Sequence, residues 1–156
     1  MIPKYHKLLV VTDLSLIGNA AIPHAYAILA ERGGTVILCS VVNMEGAPDP
    51  IYAQPMPGKP LADQRAALRE SLYSSLEALV PEEARAEGKV ETEVRLVDNP
   101  GPVHEVICEE ATVLDVDLIV MASHGYSGMK HLILGSVAEH VLRSADRPVL
   151  IVRSRG

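Results

Sequence analysis

The sequence predicts an α/β protein, a three-layer α/β/α sandwich built on a five-stranded parallel sheet. Short apolar runs alternate along the chain with stretches of helical periodicity, the pattern of repeated strand–helix–strand units. Most of those runs show little polar alternation, as expected for parallel strands buried on both faces. The core must be aliphatic, because 48% of the residues are apolar yet the chain holds no Phe and no Trp. At 156 residues a single domain over 1–156 can bury roughly two-thirds of its unfolded surface.

The elements follow in order. Leu8–Thr12 is a first strand, closed by Asp13. Asn19–Arg32 is alanine-rich and helical in pattern, stopped by Gly33 and Gly34. Pro23 either lies in its first turn or kinks it. Thr35–Val42 reads as a second strand. Residues 43–60 hold five prolines and two glycines, too irregular for an element and too long for a simple connector. That segment is a variable surface loop or, because it leaves the carboxyl end of strand two, a flap near a ligand. Leu61–Leu79 is an amphipathic helix on Leu61, Leu68, Leu72, Leu76 and Leu79. Val90–Val97 alternates apolar and polar residues, so it is a strand nearer a sheet edge. A helix over Val103–Leu114 leads to a fourth strand, Leu118–Ala122. Ser136 and Glu139 stand at capping-box spacing, which starts a helix at Ser136 that runs over Val137–Ser144. Pro148–Arg153 closes the chain as a fifth strand, with Pro at its tolerated first position.

Composition removes several classes of function. A net charge of -6 argues against nonspecific binding to nucleic acid or to an anionic membrane, both of which need a basic surface. No apolar run reaches the roughly 18 residues of a membrane span, and the N-terminus lacks a signal-peptide core. These features suit a cytoplasmic protein. Cys39 and Cys108 match no metal or redox spacing and read as small buried hydrophobes. There is no P-loop, no dinucleotide glycine fingerprint after strand one, no nucleophile elbow and no zinc-protease helix. The chain looks built to hold something rather than to transform it.

The segment Asp117–Ser136 is the most informative. A buried strand opens into a loop bearing Gly125 and Gly128, which ends at Gly135-Ser136 and a fresh helix N-terminus. Glycines let backbone approach a ligand, and unpaired N–H groups with the helix dipole favour phosphate. In doubly wound sheets ligands bind beyond the carboxyl ends of the strands, where the order reverses. If strands one and four meet there, Asp13, Val41 and the Gly125 loop converge. Asp13 could equally cap or order a turn, and the Ser136 hydroxyl could cap its helix. His124 is a phosphate contact or a solvated turn residue. Lys130 and His131 could add positive charge or simply be solvated.

Val11-Thr-Asp-Leu-Ser15, Ser40-Val-Val42, Asp117–Gly125, Leu134-Gly-Ser-Val137 and Arg147–Arg153 together resemble the universal stress protein family. This family belongs to the wider adenine-nucleotide α-hydrolase-like group, and the resemblance covers almost the whole chain. The ATP-binding branch carries G-x2-G-x9-G-S/T. Here the register is Ala122-x2-Gly125-x9-Gly135-Ser136, with its spacing intact and alanine in place of the first glycine. Alanine fits if the position has ordinary strand dihedrals and fails if it needs positive φ; the expectation is that it fits.

The resemblance implies a Rossmann-like sheet of order 3-2-1-4-5 and a site for ATP with Mg²⁺. Asp13 would face the nucleoside with Thr12 beside it, and the Val41 backbone would meet the adenine edge. Met121 and Ala122 would lie along the ribose. His124 and Gly125 would stand next to the phosphates, which Gly135, Ser136 and Val137 would bind from the helix N-terminus. The resemblance also implies a homodimer through the last strand, Val149–Val152, whose apolar edge would otherwise invite aggregation. The function implied is a nucleotide-dependent regulatory or binding module in stress response, not an enzyme, with at most slow ATP hydrolysis. The alternatives are a member that binds no nucleotide and acts through protein–protein contacts, or an ATP-using transferase.

Overall fold

The computed structural model describes residues 1–45, 61–124 and 134–153. Five strands form one sheet: β1 (Lys7–Val11), β2 (Gly34–Val42), β3 (Val90–Asp98), β4 (Leu118–Ala122) and β5 (Val149–Val152). Their order is β3-β2-β1-β4-β5, and every neighbouring pair is parallel. The helices are α1 (Ile22–Leu29), α2 (Leu61–Glu77), α3 (Glu82–Glu87), α4 (Val103–Val113) and α5 (Ser136–Ser144). β1 lies at the centre, with Val10 beside Leu38 on one neighbour and Val120 on the other.

Strand alternation divides the core into two layers. On one face Leu8, Val10, Leu38 and Val120 pack with Ala25 and Leu29 of α1 and Leu76 of α2. On the other Leu9, Ile37, Ile119 and Met121 pack with Ile107 of α4 and Val141 of α5. The sandwich expected from the sequence is therefore the one observed. Its central strands are sealed on both sides, which is what their unbroken apolar runs require. β3 is an edge strand, as its alternation indicated.

Three local expectations are corrected. The helix placed over Asn19–Arg32 begins as a short 3-10 turn, Gly18–Ala21, because the Asn19 side chain is drawn back to accept from Thr12 Oγ1 at 2.5 Å. Pro23 sits in the first turn of α1 without kinking it. After Leu29 the chain turns through Gly33 (φ 77°), whose N–H reaches the Leu29 carbonyl at 2.7 Å. The helix α3 went unforeseen: it is rich in Glu and buries no residue, so it carries no apolar period to detect. The capping box at Ser136 does not form. Gly135 is the N-cap with no side-chain bond, and Glu139 instead pairs with Arg143 one turn on at 2.7 Å. Cys39 is buried as expected, whereas Cys108 is only partly covered. No helix among the described residues is long and apolar enough to cross a membrane.

Side chains at the sheet's amino-terminal rim tie the ends of three strands. Asp117 Oδ2 accepts from the backbone N–H of His6 and Lys7 at 2.7 and 2.8 Å. Arg147 donates to the Val116 carbonyl at 2.7 Å and pairs with Asp146 and Asp115.

Candidate functional site

At the opposite rim, beyond the carboxyl ends of β1, β2 and β4, lies a crevice of about 330 Å³. It opens where the strand order reverses, between β1 and β4, the place at which doubly wound sheets receive ligands. β1 contributes Val11 and runs on to Thr12 and Asp13; β2 contributes Val41. Met121 and Ala122 end β4 and lead into Ser123 and His124. The start of α5 supplies Gly135, Ser136, Val137 and Ala138. Thus Thr12, Asp13, Val41, Met121, Ala122, His124, Gly135, Ser136 and Val137 all meet at one cavity, as the sequence led one to expect. Gly125, Gly128, Lys130 and His131 lie outside the described residues, as do residues 46–60 of the proline-rich segment.

Six lining residues were not among those expected: Val11 and Ala138, each next to an expected one, and Gly18, Ser123, Val103 and Ile107. Gly18 is buried against the turn after β1. A Cβ there would overlap Asp13 Oδ1, so glycine is required for the close approach; its place shortly after the first strand was the available signal. Ser123 follows the strand directly, and its carbonyl accepts from the Gly135 N–H at 2.7 Å, joining the end of β4 to the start of α5. Val103 and Ile107 come from α4. Their spacing of four puts them on one helix face, but only the tertiary fold turns that face to the crevice.

The polar groups are set by local structure. Asp13 Oδ1 accepts from Ser15 N–H at 3.0 Å and from the Ser15 hydroxyl, and Ser15 Oγ in turn accepts from Gly18 N–H at 2.9 Å. Asp13 therefore orders a turn while also lining the crevice. Thr12 Oγ1 accepts from Leu14 N–H at 3.0 Å and donates to Asn19. Leu14 holds φ 67°, a left-handed conformation that costs energy for a residue with a side chain. His124 Nδ1 lies 3.0 Å from Ser123 Oγ.

The start of α5 suits an anion. Its first intrahelical bond runs from Glu139 N–H to the Gly135 carbonyl at 3.0 Å, and its N-cap, a glycine, has no side chain with which to cap it. The N–H groups of Ser136, Val137 and Ala138 thus have no acceptor within the helix, and the helix dipole adds partial positive charge. The remainder of the wall is aliphatic, from Val11, Val41, Met121, Val103 and Ile107. That combination suits a flat apolar group at one end and an anionic group at the other.

Ala122 is tolerated by the backbone. Among the described non-glycine residues only Leu14 and Asp115 take positive φ. Ala122 is an ordinary strand residue, and it belongs to the core layer on the α1 side. No group of three or more metal-ligating side chains occurs among the described residues.

A second, larger concavity of about 710 Å³ lies on the far side of the turn after β1. Leu16, Ile17, Ala20 and His24 face Leu150, Ile151 and Val152 of the edge strand β5, and Arg153 just beyond it, across this concavity. It is the wider opening, but it lies beside the edge strand β5 and not at the reversal of strand order between β1 and β4, where doubly wound sheets receive ligands, so the ligand chemistry belongs to the smaller crevice.

A family model described as the universal stress protein family matches residues 4–153. A universal stress protein of Methanocaldococcus jannaschii is 27% identical over 156 residues, covering 97% of this chain and 96% of its own. The solved structure of that protein superposes with a TM-score of 0.69, over 97% of this chain and 98% of the other. A universal stress protein solved in complex with cAMP matches at 24% identity and TM-score 0.62, over 98% and 100% of the two chains. An Arabidopsis thaliana member of the family with AMP bound matches at 17% identity and TM-score 0.59, over 97% and 93%.

Proposed function

The chain belongs to the universal stress protein family, and from that premise we propose that its crevice binds an adenine nucleotide, ATP with Mg²⁺ foremost. One observation carries the reading. Every described residue expected to hold the nucleotide lines one cavity at the strand-order reversal, with a helix start whose N-cap is a glycine at one end. Neighbours of the same fold that hold cAMP and AMP support the choice of an adenine nucleotide.

On this reading the base lies between the aliphatic wall and the Val41 backbone, with the ribose along Met121 and Ala122. The phosphates meet the N–H groups of Ser136 and Val137, with His124 beside them. Mg²⁺ would ride with the phosphates. Asp13 is the one carboxylate among the described lining residues, which makes a dedicated protein cage for the metal unnecessary to the reading. No arginine stands among those residues, so any hydrolysis would be slow, since phosphoryl transfer relies on cationic groups placed at the developing charge. The protein then works as a nucleotide-dependent binding module in stress response. It pairs with a second copy along β5, where Leu150 leaves 37% of its surface exposed.

Calorimetric titration of nucleotide-stripped protein with Mg-ATP, AMP and cAMP tests the reading. Saturable binding at one site per chain is expected. Heats indistinguishable from dilution at millimolar nucleotide would overturn it and leave the β5 groove as the working surface.

A further inference from the structure

The crevice and the β5 groove share a wall. Thr12, Asp13 and Gly18 face the crevice, while Leu16, Ile17 and Ala20, within the same short segment, face the groove. The segment is cross-braced. Asp13 is bonded to Ser15, Ser15 to the Gly18 N–H, and Thr12 to Asn19; Asn19 N–H also reaches the Ser15 carbonyl at 2.9 Å. It carries a left-handed Leu14 in its middle, so its conformation is held by these bonds rather than by local preference. A second link runs through the sheet. Ala122 at the crevice is the register partner of Val152 at the groove, and Ser123 N–H donates to the Val152 carbonyl at 2.8 Å.

The groove's occupant follows from β5. This strand is the sheet's outer edge and reads Val-Leu-Ile-Val without a charge. Leu16, 92% exposed, stands beside it. His24 and Arg153 also line the groove, but the strand edge itself is uncharged; such an edge is completed by another strand of the same character, and a two-fold arrangement lets β5 pair with its own copy.

We propose that nucleotide binding and self-pairing are coupled through the segment Thr12–Ala20, so that nucleotide in the crevice favours the β5-paired dimer. The proposal rests on the nucleotide reading above. A ligand seated on Thr12, Asp13 and Gly18 restricts the braced segment. A second copy docking against Leu16 and Ile17 then finds it already ordered and loses less conformational freedom. Linkage makes the effect reciprocal: the dimer must bind nucleotide more tightly than the monomer.

The test combines sedimentation of the full chain across protein concentration, with and without saturating Mg-ATP or AMP, with calorimetry. Leu16→Asp provides the dissociated form, since its exposed side chain is not part of the core; Leu150→Asp is the second such variant. Nucleotide is expected to lower the dimer dissociation constant at least about fivefold, the lower end of ordinary coupling. The dissociated variants should bind nucleotide weaker by the same factor, with unchanged far-ultraviolet dichroism. Equal nucleotide affinity in paired and dissociated forms would overturn the coupling while leaving the crevice a nucleotide site. A wild-type chain that stays monomeric with nucleotide, or a dimer that survives both substitutions, would overturn it too. Loss of nucleotide binding by the wild type would instead sink the nucleotide reading and the coupling together.

Discussion

Two glycines and an alanine decide how the crevice is built. At Gly18 any Cβ would overlap the Asp13 carboxylate, so Gly18→Ala must displace that side chain from its bonds to Ser15 or shift the turn that carries it. Its nucleotide affinity is expected to fall about tenfold or more, roughly 1.4 kcal/mol, with the fold retained; calorimetry beside circular dichroism checks it. Gly135 is different, for its φ of -67° is open to any residue. A Cβ there would lie 3.0 Å from the Ser123 carbonyl, so Gly135→Val crowds the end of β4 rather than the ligand directly. It should lower the melting temperature as well as the affinity. At Ala122 the methyl belongs to the α1-side core. Restoring the family's glycine there should leave affinity within about twofold and cost about 1 kcal/mol in stability, from backbone entropy and lost packing. A marked gain in affinity for Ala122→Gly would mean that the methyl obstructs the ligand after all.

At the scale of elements, what could be read in advance was what repeats. Strand β4 was bounded correctly from five apolar residues, because a strand sealed on both faces must be apolar throughout. β3 declared itself an edge by its Glu91 and Glu93. The failures lie where one side chain outvotes the pattern. Ser136 has the spacing of a capping box, yet the Glu139 carboxylate goes to Arg143; Asn19 has helical neighbours, yet Thr12 captures it. The Glu139–Arg143 pair has the i,i+4 spacing of a helix ion pair, so the sequence offered both partners without saying which wins; the capture of Asn19 by Thr12 is not visible in spacing at all. The site was legible for a related reason. Its residues sit at strand ends and a helix start, which one sequence marks, whereas Val103 and Ile107 reach it only through the packing of α4. The amino-terminal rim was not foreseen at all, although Arg147 and Asp117 stand in the segments of family resemblance. Arg147→Met would leave the Val116 carbonyl without that donor and release Asp146 and Asp115. About 1–3 kcal/mol of stability should be lost, the ordinary cost of leaving a covered acceptor unsatisfied. Denaturant unfolding measures it, and an unchanged midpoint would show the rim to be ornamental.

At the scale of the whole molecule, the aliphatic core sets a limit in alkali. Burial pushes the Cys39 thiol up to about 12, from an ordinary value near 9. In the unfolded chain the thiol ionises at its ordinary value, while in the folded protein it stays protonated. Its contribution to stability is therefore complete below about pH 9 and is lost as pH rises toward 12. The melting temperature should fall across that window, and the fall should be shallower in Cys39→Ala than in wild type. An identical slope in both proteins would assign the alkaline loss to other groups. Below pH 9 the same thiol should react with disulfide reagents only after unfolding.

The crevice also has a position in time. Strands β1, β2 and β3 are complete by Asp98, so three of the five strands can assemble while the remainder of the chain is still being synthesised. The switch point does not exist until β4 inserts beside β1, and the helix start that would hold phosphate comes later still, at Gly135. A chain interrupted between Asp98 and that residue has its first three strands but no complete crevice for the ligand. Ligand occupancy is thereby a test of completion. It can report only on molecules in which β4 and the start of α5 have joined the earlier strands, and in clasping the early part of the chain to the later one it would slow the reversal of that step.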